Sequence, residues 1–330
     1  MTVSNPRTKR SRIRRLALNT LLFITATVAA FLCAEAVAHL YLNKVAFQGK
    51  LFQPDRELGW KPLPGLHSWR KNAEGALYDV VTNAQGFRGP LHWDPASVRK
   101  VLILGDSFAF GEGVAIEDRF DGYLKGEDGP WSVLNRGVPG FGPGQAILAG
   151  QGQIADLSSG DAVVLLTFRN DFYDLARRRA SGRWRPTFRR HNGSVIAEPV
   201  GITWRDHLVD RSYIAGMVFR TLDRRQHLSH LDIQESAGLY ERLVATFLLP
   251  ATGHGVEVYV VYHGIGGEPD ARRHAAMMRA FETCCSRAGM HCLDLDSYLD
   301  EESYFLKDGH WSAAGHAVVG NQLYARLRRP

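Results

Sequence analysis

Three residues have the types and local settings for acyl-transfer chemistry. Ser107 stands in KVLILGDSFAFGEGV, residues 100–114, separated only by Gly105 and Asp106 from the apolar run that ends at Leu104. A serine hydroxyl is a weak nucleophile until a neighbouring base takes its proton and a third group orients that base. The segment LKDGHWSAAGH supplies both, with His310 as base and Asp308, two residues earlier, as its acidic partner. The chemistry would be attack on an ester or acyl carbonyl through a covalent serine intermediate. The alternative use of Ser107 is to cap the next helix, and Asp106 reads as support for the same loop.

These residues need elements that bring distant segments together. From Lys100 onward, continuously apolar stretches (VLIL, WSVLN, AVVLLTF, VEVYVVY, HCLDL) alternate with amphipathic ones such as DARRHAAMMRAFETCCSRAG, and a closing helix starts near Ser312. That alternation predicts a three-layer α/β/α domain with a mainly parallel central sheet, flavodoxin-like, over residues 99–330. Ligands then belong at the C-terminal ends of the strands, where Ser107 falls. His263, at the end of VEVYVVYH, stands near that edge as a candidate substrate contact, whereas His316 reads as packed within the last helix. The rhythm lapses over about 172–233, an insertion placed to wall the site. Eight arginines between Arg169 and Arg190, with only Asp171 and Asp174 against them, offer a hold for an anionic glycan or lipid head group. A solvated face with internal ion pairs is the alternative. Arg169 and Asp171 are the further candidate contacts.

The set of blocks resembles the SGNH, or GDSL, family of serine hydrolases. Gly105-Asp106-Ser107 matches the nucleophile block, LNRGVPGFGPGQ the second block, TFRNDF the third and Asp308 with His310 the last. The resemblance implies an oxyanion hole built from the backbone N–H groups of Ser107 and Gly137 and the side-chain amide of Asn170. No cofactor is expected, and no metal, because Cys284 and Cys285 are adjacent and no CxxC or nearby histidine pair completes a tetrahedral set. The preface TNAQGFRG looks like that of membrane-anchored bacterial members. Two positions depart from the pattern: Phe168 stands where the third block usually begins with glycine, and Lys307 where the usual acid precedes the histidine. The Asp-x-His-Trp spacing is similar instead to that of alginate-type polysaccharide O-acetyltransferases. An α/β-hydrolase elbow is excluded by Ala109, which replaces its second glycine, and Gly111 and Gly113 lack the completion of a phosphate loop.

The net charge of +6 has a local origin, because Arg7, Lys9, Arg10, Arg12, Arg14 and Arg15 account for it and leave 34 basic against 34 acidic residues. A nucleic-acid partner is not expected. Residues 1–15 form a basic tail, and 16–42 an apolar anchor whose stretch to Ala34 would span roughly 28 Å at ~1.5 Å per helical residue. The basic flank predicts a cytoplasmic N-terminus and a catalytic domain on the far side, in the periplasm or its equivalent. A cleaved signal peptide is the rival reading, with small-residue sites at 34–38. Residues 43–98, rich in Gly, Pro, Asn and Trp, predict an extension of short strands and turns. One disulfide is expected among Cys284, Cys285 and Cys292, with the pairing open. His227 and His230 sit among polar residues, where a solvated helix face is the simpler reading. The expected function is a membrane-anchored esterase or O-acyl transferase on acylated envelope glycans. The alternatives are a catalytically silent glycan-binding scaffold, suggested by Phe168 and Lys307, or a lipase of the same fold.

Overall fold

The computed structural model describes residues 6–46, 51–72, 74–124, 130–180, 182–224, 230–264 and 267–328. Its centre is a five-stranded parallel sheet of β1 (Arg99–Leu104), β2 (Trp131–Asn135), β3 (Ala162–Phe168), β4 (Glu257–His263) and β5 (Met290–Asp294), in the order β5-β4-β3-β1-β2. Side chains alternate between the two faces of a strand. Leu102, Leu104, Val163, Leu165, Val258 and Val260 therefore face one buried layer, and Val101, Ile103, Val164, Leu166 and Val261 the other. The strands read as continuous apolar runs because helices cover both faces.

The helices used below are α1 (Pro6–Ala46), α2 (Ser107–Phe110), α3 (Pro143–Ile154), α4 (Arg169–Ala176), α5 (Trp204–Arg211), α6 (Tyr213–Arg224), α7 (His230–Leu243), α8 (Ala271–Cys285) and α9 (Ala313–Leu327). α3, α4, α7 and α8 cover the first face; α2 and α9 cover the second. Chain direction across the sheet reverses at β1, since β2 lies on one side of it and β3 on the other. In doubly wound folds such a switch point is where ligands bind, here at the C-terminal ends of β1 and β3.

Phe172 and Ile233, at the limits of the expected insertion, are fully buried in the first face. The inserted material thus runs between α4 and α7 as small antiparallel hairpins and the pair α5–α6. The extension forms two further hairpins, 52–62 and 67–81. Within α1, Arg14–Leu40 is long and apolar enough to cross a bilayer, with mean hydropathy 2.1 and no part of that window buried; a signal sequence has the same character. The disulfide joins Cys285 at the end of α8 to Cys292 in β5. Cys284 points into the core, where burial pushes its thiol up to about 12.

Candidate active site

The loop that carries Ser107, the candidate nucleophile, is assembled by short-range hydrogen bonds. Asp106 caps α2, its Oδ1 accepting the Phe108 N–H at 2.9 Å, and Gly111 ends the turn in the left-handed region at φ 75°. Ser107 is the first residue of that turn, where a backbone N–H has no intrahelical acceptor. Its N–H has no partner among the described residues and stays available for a ligand oxygen.

His310 arrives from a loop closed by a bridge between Tyr304 and Trp311 and by the Phe305 N–H donating to the His310 carbonyl at 2.7 Å. Its Nε2 lies 2.8 Å from the Ser107 Oγ. The Asp308 carboxylate holds the same loop: Oδ1 accepts the His310 backbone N–H at 3.1 Å, and Oδ2 stands 3.4 Å from Nδ1. That second contact is looser than a hydrogen bond, and Nδ1 has no other partner among the described residues. Lys307 turns the other way, with its N–H donating to Glu74 Oε1 at 3.2 Å and its Nζ 3.8 Å from Oε2.

Asn170 sits in the first turn of α4, directly beyond β3. Its Oδ1 is enclosed without a partner, and no described residue accepts from its Nδ2. Gly137 departs from expectation. Its N–H donates to the Asn135 Oδ1 at 2.9 Å, so that donor is already used inside the protein. A Cβ on Gly137 would lie 2.5 Å from the Phe110 nitrogen. Glycine is needed there for close packing on the nucleophile turn. Asn135 completes the link by donating to the Ala109 carbonyl at 2.8 Å. Gly140, exposed at φ 78° in a turn closed by the Phe141 N–H and the Val138 carbonyl, has an amide with no acceptor among the described residues. Its signal in the sequence was the Pro139-Gly140 pair, a turn dipeptide.

Two further expected contacts lie out of reach of any substrate. His263 is fully buried among Phe108, Phe168 and Trp311, with ring centroids 4.3, 4.7 and 4.5 Å away. Burial, and then the nearby His310, push its pKa well below the ordinary value, so it is neutral. Asp171 is also buried and caps α4 by accepting the Phe168 N–H at 2.9 Å. Arg169 is half-buried, and its guanidinium donates to the Gly267 carbonyl. Phe168 fits where a glycine was expected because Gly264 faces it; a Cβ there would lie 2.1 Å from the Phe168 ring. His316 is buried against Phe120 and Trp311. Among the described residues no group of three His, Cys, Asp or Glu side chains is arranged to hold a metal.

The extension, whose part in the site the sequence did not reveal, braces both loops. The buried Arg88 guanidinium donates to the carbonyls of Asp79, Phe110, Gly111 and Val114 at 2.8 to 3.1 Å. Trp60 Nε1 donates to the Pro139 carbonyl at 3.3 Å, next to Gly140.

Behind the serine lie three buried carboxylates, Asp106, Asp171 and Asp174, of which Asp174 pairs with Arg185 at 2.8 Å. Burial raises Asp106 to about 6, against the pull of the Phe108 N–H and His310. Burial and Asp106 hold Asp171 well above the ordinary carboxylate range. A raised acid pKa means that the folded state binds the proton more tightly than the unfolded chain. The stability this gives is present in full below the unfolded value near 3.8 and is lost as pH rises through about 6. Asp106→Asn keeps an oxygen for the Phe108 cap. It is expected to flatten the fall in unfolding free energy between those pH values by on the order of 2 kcal/mol, read by urea denaturation across pH. An unchanged slope would mean that Asp106 is already ionised in the folded protein.

No family model and no curated protein matches the chain. Among solved structures it is similar to a member of the lipolytic G-D-S-L family from Veillonella parvula DSM 2008, with 10% identity and TM-score 0.43 over 71% of this chain and 100% of that one. It is also similar to a lipase from a goat rumen metagenome, with 10% identity and TM-score 0.44 over 70% and 100%. A third likeness is to an extracellular lipase from Streptomyces rimosus, with 14% identity and TM-score 0.34 over 68% and 99%.

Proposed function

We propose that the chain is a membrane-anchored serine esterase or O-acyl transferase that acts on acylated envelope or exported glycans outside the cytoplasm. The observation that carries the reading is the 2.8 Å contact between Ser107 Oγ and His310 Nε2 at the switch point of the sheet. Ser107 attacks the acyl carbonyl while His310 takes its proton and returns it to the departing sugar hydroxyl, with Asp308 holding the imidazole. The N–H groups of Ser107 and Gly140 and the amide of Asn170 receive the oxyanion, Gly140 taking the part first expected of Gly137. Water or a second sugar hydroxyl then resolves the acyl-enzyme.

The Cys285–Cys292 disulfide supports an oxidising compartment, and α1 supports the anchor. A cavity of about 660 Å³ opens at the far end of α4, lined by Arg177, Arg178, Arg189 and Arg190 together with Glu198, Asp232 and Glu235, and this mixed charge supports a polar glycan chain rather than a strongly anionic one. At ~1.5 Å per residue, α4 sets that cavity roughly 10 Å from Asn170.

The test is labelling of the full chain by a fluorophosphonate, followed by turnover on acetylated glycans beside phospholipids. Labelling that disappears in Ser107→Ala, with release or transfer of acetate from glycans, is the expected result. No labelling of the parent favours the silent scaffold, and turnover of phospholipids alone favours the lipase. In the same assay Asn170→Ala is expected to lower kcat and kcat/KM together by about two to three orders of magnitude, since it acts only on the transition state. A change confined to KM would assign Asn170 to substrate binding.

A further inference from the structure

The outer face of α5–α6 has no part in the chemistry above, and its composition is unusual for a solvated surface. Met217, Val218 and Leu222 of α6 are 59, 47 and 51% exposed, and Ile214, one turn earlier, is half-buried on the same stripe. That is the i, i+3, i+4, i+8 spacing of one helix face. On α5, Trp204 and Leu208 lie four residues apart, and Trp204 is 72% exposed. The opposite side of the pair is committed to the protein. Gly216 and Asp223 are buried, and Asp223 accepts the Gly182 N–H at 2.5 Å and pairs with Arg205 at 3.1 Å. The apolar stripe is therefore the face left outward.

Its position along the chain's own apolar helix is fixed. Glu35 of α1 accepts the Ser212 hydroxyl at 2.8 Å, the Tyr213 N–H at 2.5 Å and the Ile214 N–H at 3.3 Å, and so satisfies the start of α6 from outside. The His39 ring lies 5.3 Å from that of Tyr213. Glu35 directly follows the apolar run that ends at Ala34. An exposed apolar helix face thus begins at the depth where the apolar part of α1 meets its polar boundary.

We propose that α5–α6 is an interfacial membrane-binding element, which sets Trp204, Leu208, Met217, Val218 and Leu222 into the lipid leaflet at the Glu35 end of α1. Lipid is favoured over a protein partner by this continuity with the span. Trp204 and the exposed Arg211 are also the residue types that settle at head-group level. The element fixes the height and tilt of the catalytic domain over the bilayer. The inference rests on α1 being a retained anchor.

The experiment uses the full chain in vesicles of phosphatidylcholine and phosphatidylglycerol, in a Cys33→Ser background that leaves the buried Cys284 as the free thiol. An environment-sensitive fluorophore is placed on Val218→Cys, on Ile24→Cys near the middle of the span and on Val98→Cys as an exposed control. The lipids carry doxyl quenchers either near the head group or deep in the acyl chains. The expected result is a blue-shifted Val218 label quenched by the shallow lipid, an Ile24 label quenched by the deep one and a Val98 label quenched by neither. Met217→Asp with Leu222→Asp should bring the Val218 label to the control level while fluorophosphonate labelling of Ser107 persists. An Ile24 label quenched beside an unquenched Val218 label overturns the inference and leaves the anchor standing. Quenching of neither overturns both. A Val218 blue shift that ignores the quenchers and grows with protein density assigns the face to a second copy of the chain and overturns the lipid assignment.

Discussion

Ser107→Ala, His310→Ala and the double variant are expected to fall to one floor, about six orders of magnitude below the parent kcat on an activated acetyl ester. The reason is the 2.8 Å contact: hydroxyl and imidazole act as one unit, so removing either removes the attack, and removing both costs nothing further. The floor stays above the rate in water, because the oxyanion donors and binding survive. Single-turnover kinetics with each variant measures it. Independent, multiplying losses would mean that the two residues serve different steps, and a His310→Ala variant close to the parent would mean that another base activates Ser107.

Asp308→Asn is expected to lose about three to four orders of magnitude in kcat while the fold persists, as the imidazole loses its fixed tautomer and the charge that supports imidazolium. The carboxylate is placed for this role 3.4 Å from Nδ1 and is anchored by its bond to the His310 N–H. Lys307→Ala should change kcat little, because that side chain is turned to Glu74 and, as a donor-only cation, cannot accept the imidazole proton. Steady-state rates on the same ester, with circular dichroism as the control for folding, compare the two. Near-parent turnover in Asp308→Asn would transfer the orienting role to another acid. Asp106 is then the next to replace, because its charge already interacts with His310.

Much of this arrangement is legible in one dimension. Apolar runs of four to seven residues that alternate with amphipathic segments read as strands covered on both faces, and a serine just past the first of them falls at the ligand edge. What escaped the sequence were the uses of polar groups in three dimensions. Gly137 looked like a donor, yet its N–H is taken by a side chain two residues earlier, and no spacing rule reveals that. His263 and Asp171 have catalytic residue types at the right strand ends, but neighbouring elements close over them. Arg88 carries no signal in its sequence neighbourhood, and its role shows only in its carbonyl partners. The disulfide is different, because its signal was present. Ala276, Met277, Ala280, Phe281 and Cys284 share one face of α8, so that face puts Cys284 in the core and leaves Cys285 to reach β5.

The pairing of Ser107 with His310 joins residues 203 positions apart. A ribosome adding about 5–20 residues per second takes roughly 10–40 s to make that interval. During that time the nucleophile turn can be complete, because its cap is local, yet its base does not exist. On the proposed mechanism the nascent chain therefore carries an inert serine, and activity begins only when a contact of very high sequence separation closes, the kind of contact that forms late and slowly in folding.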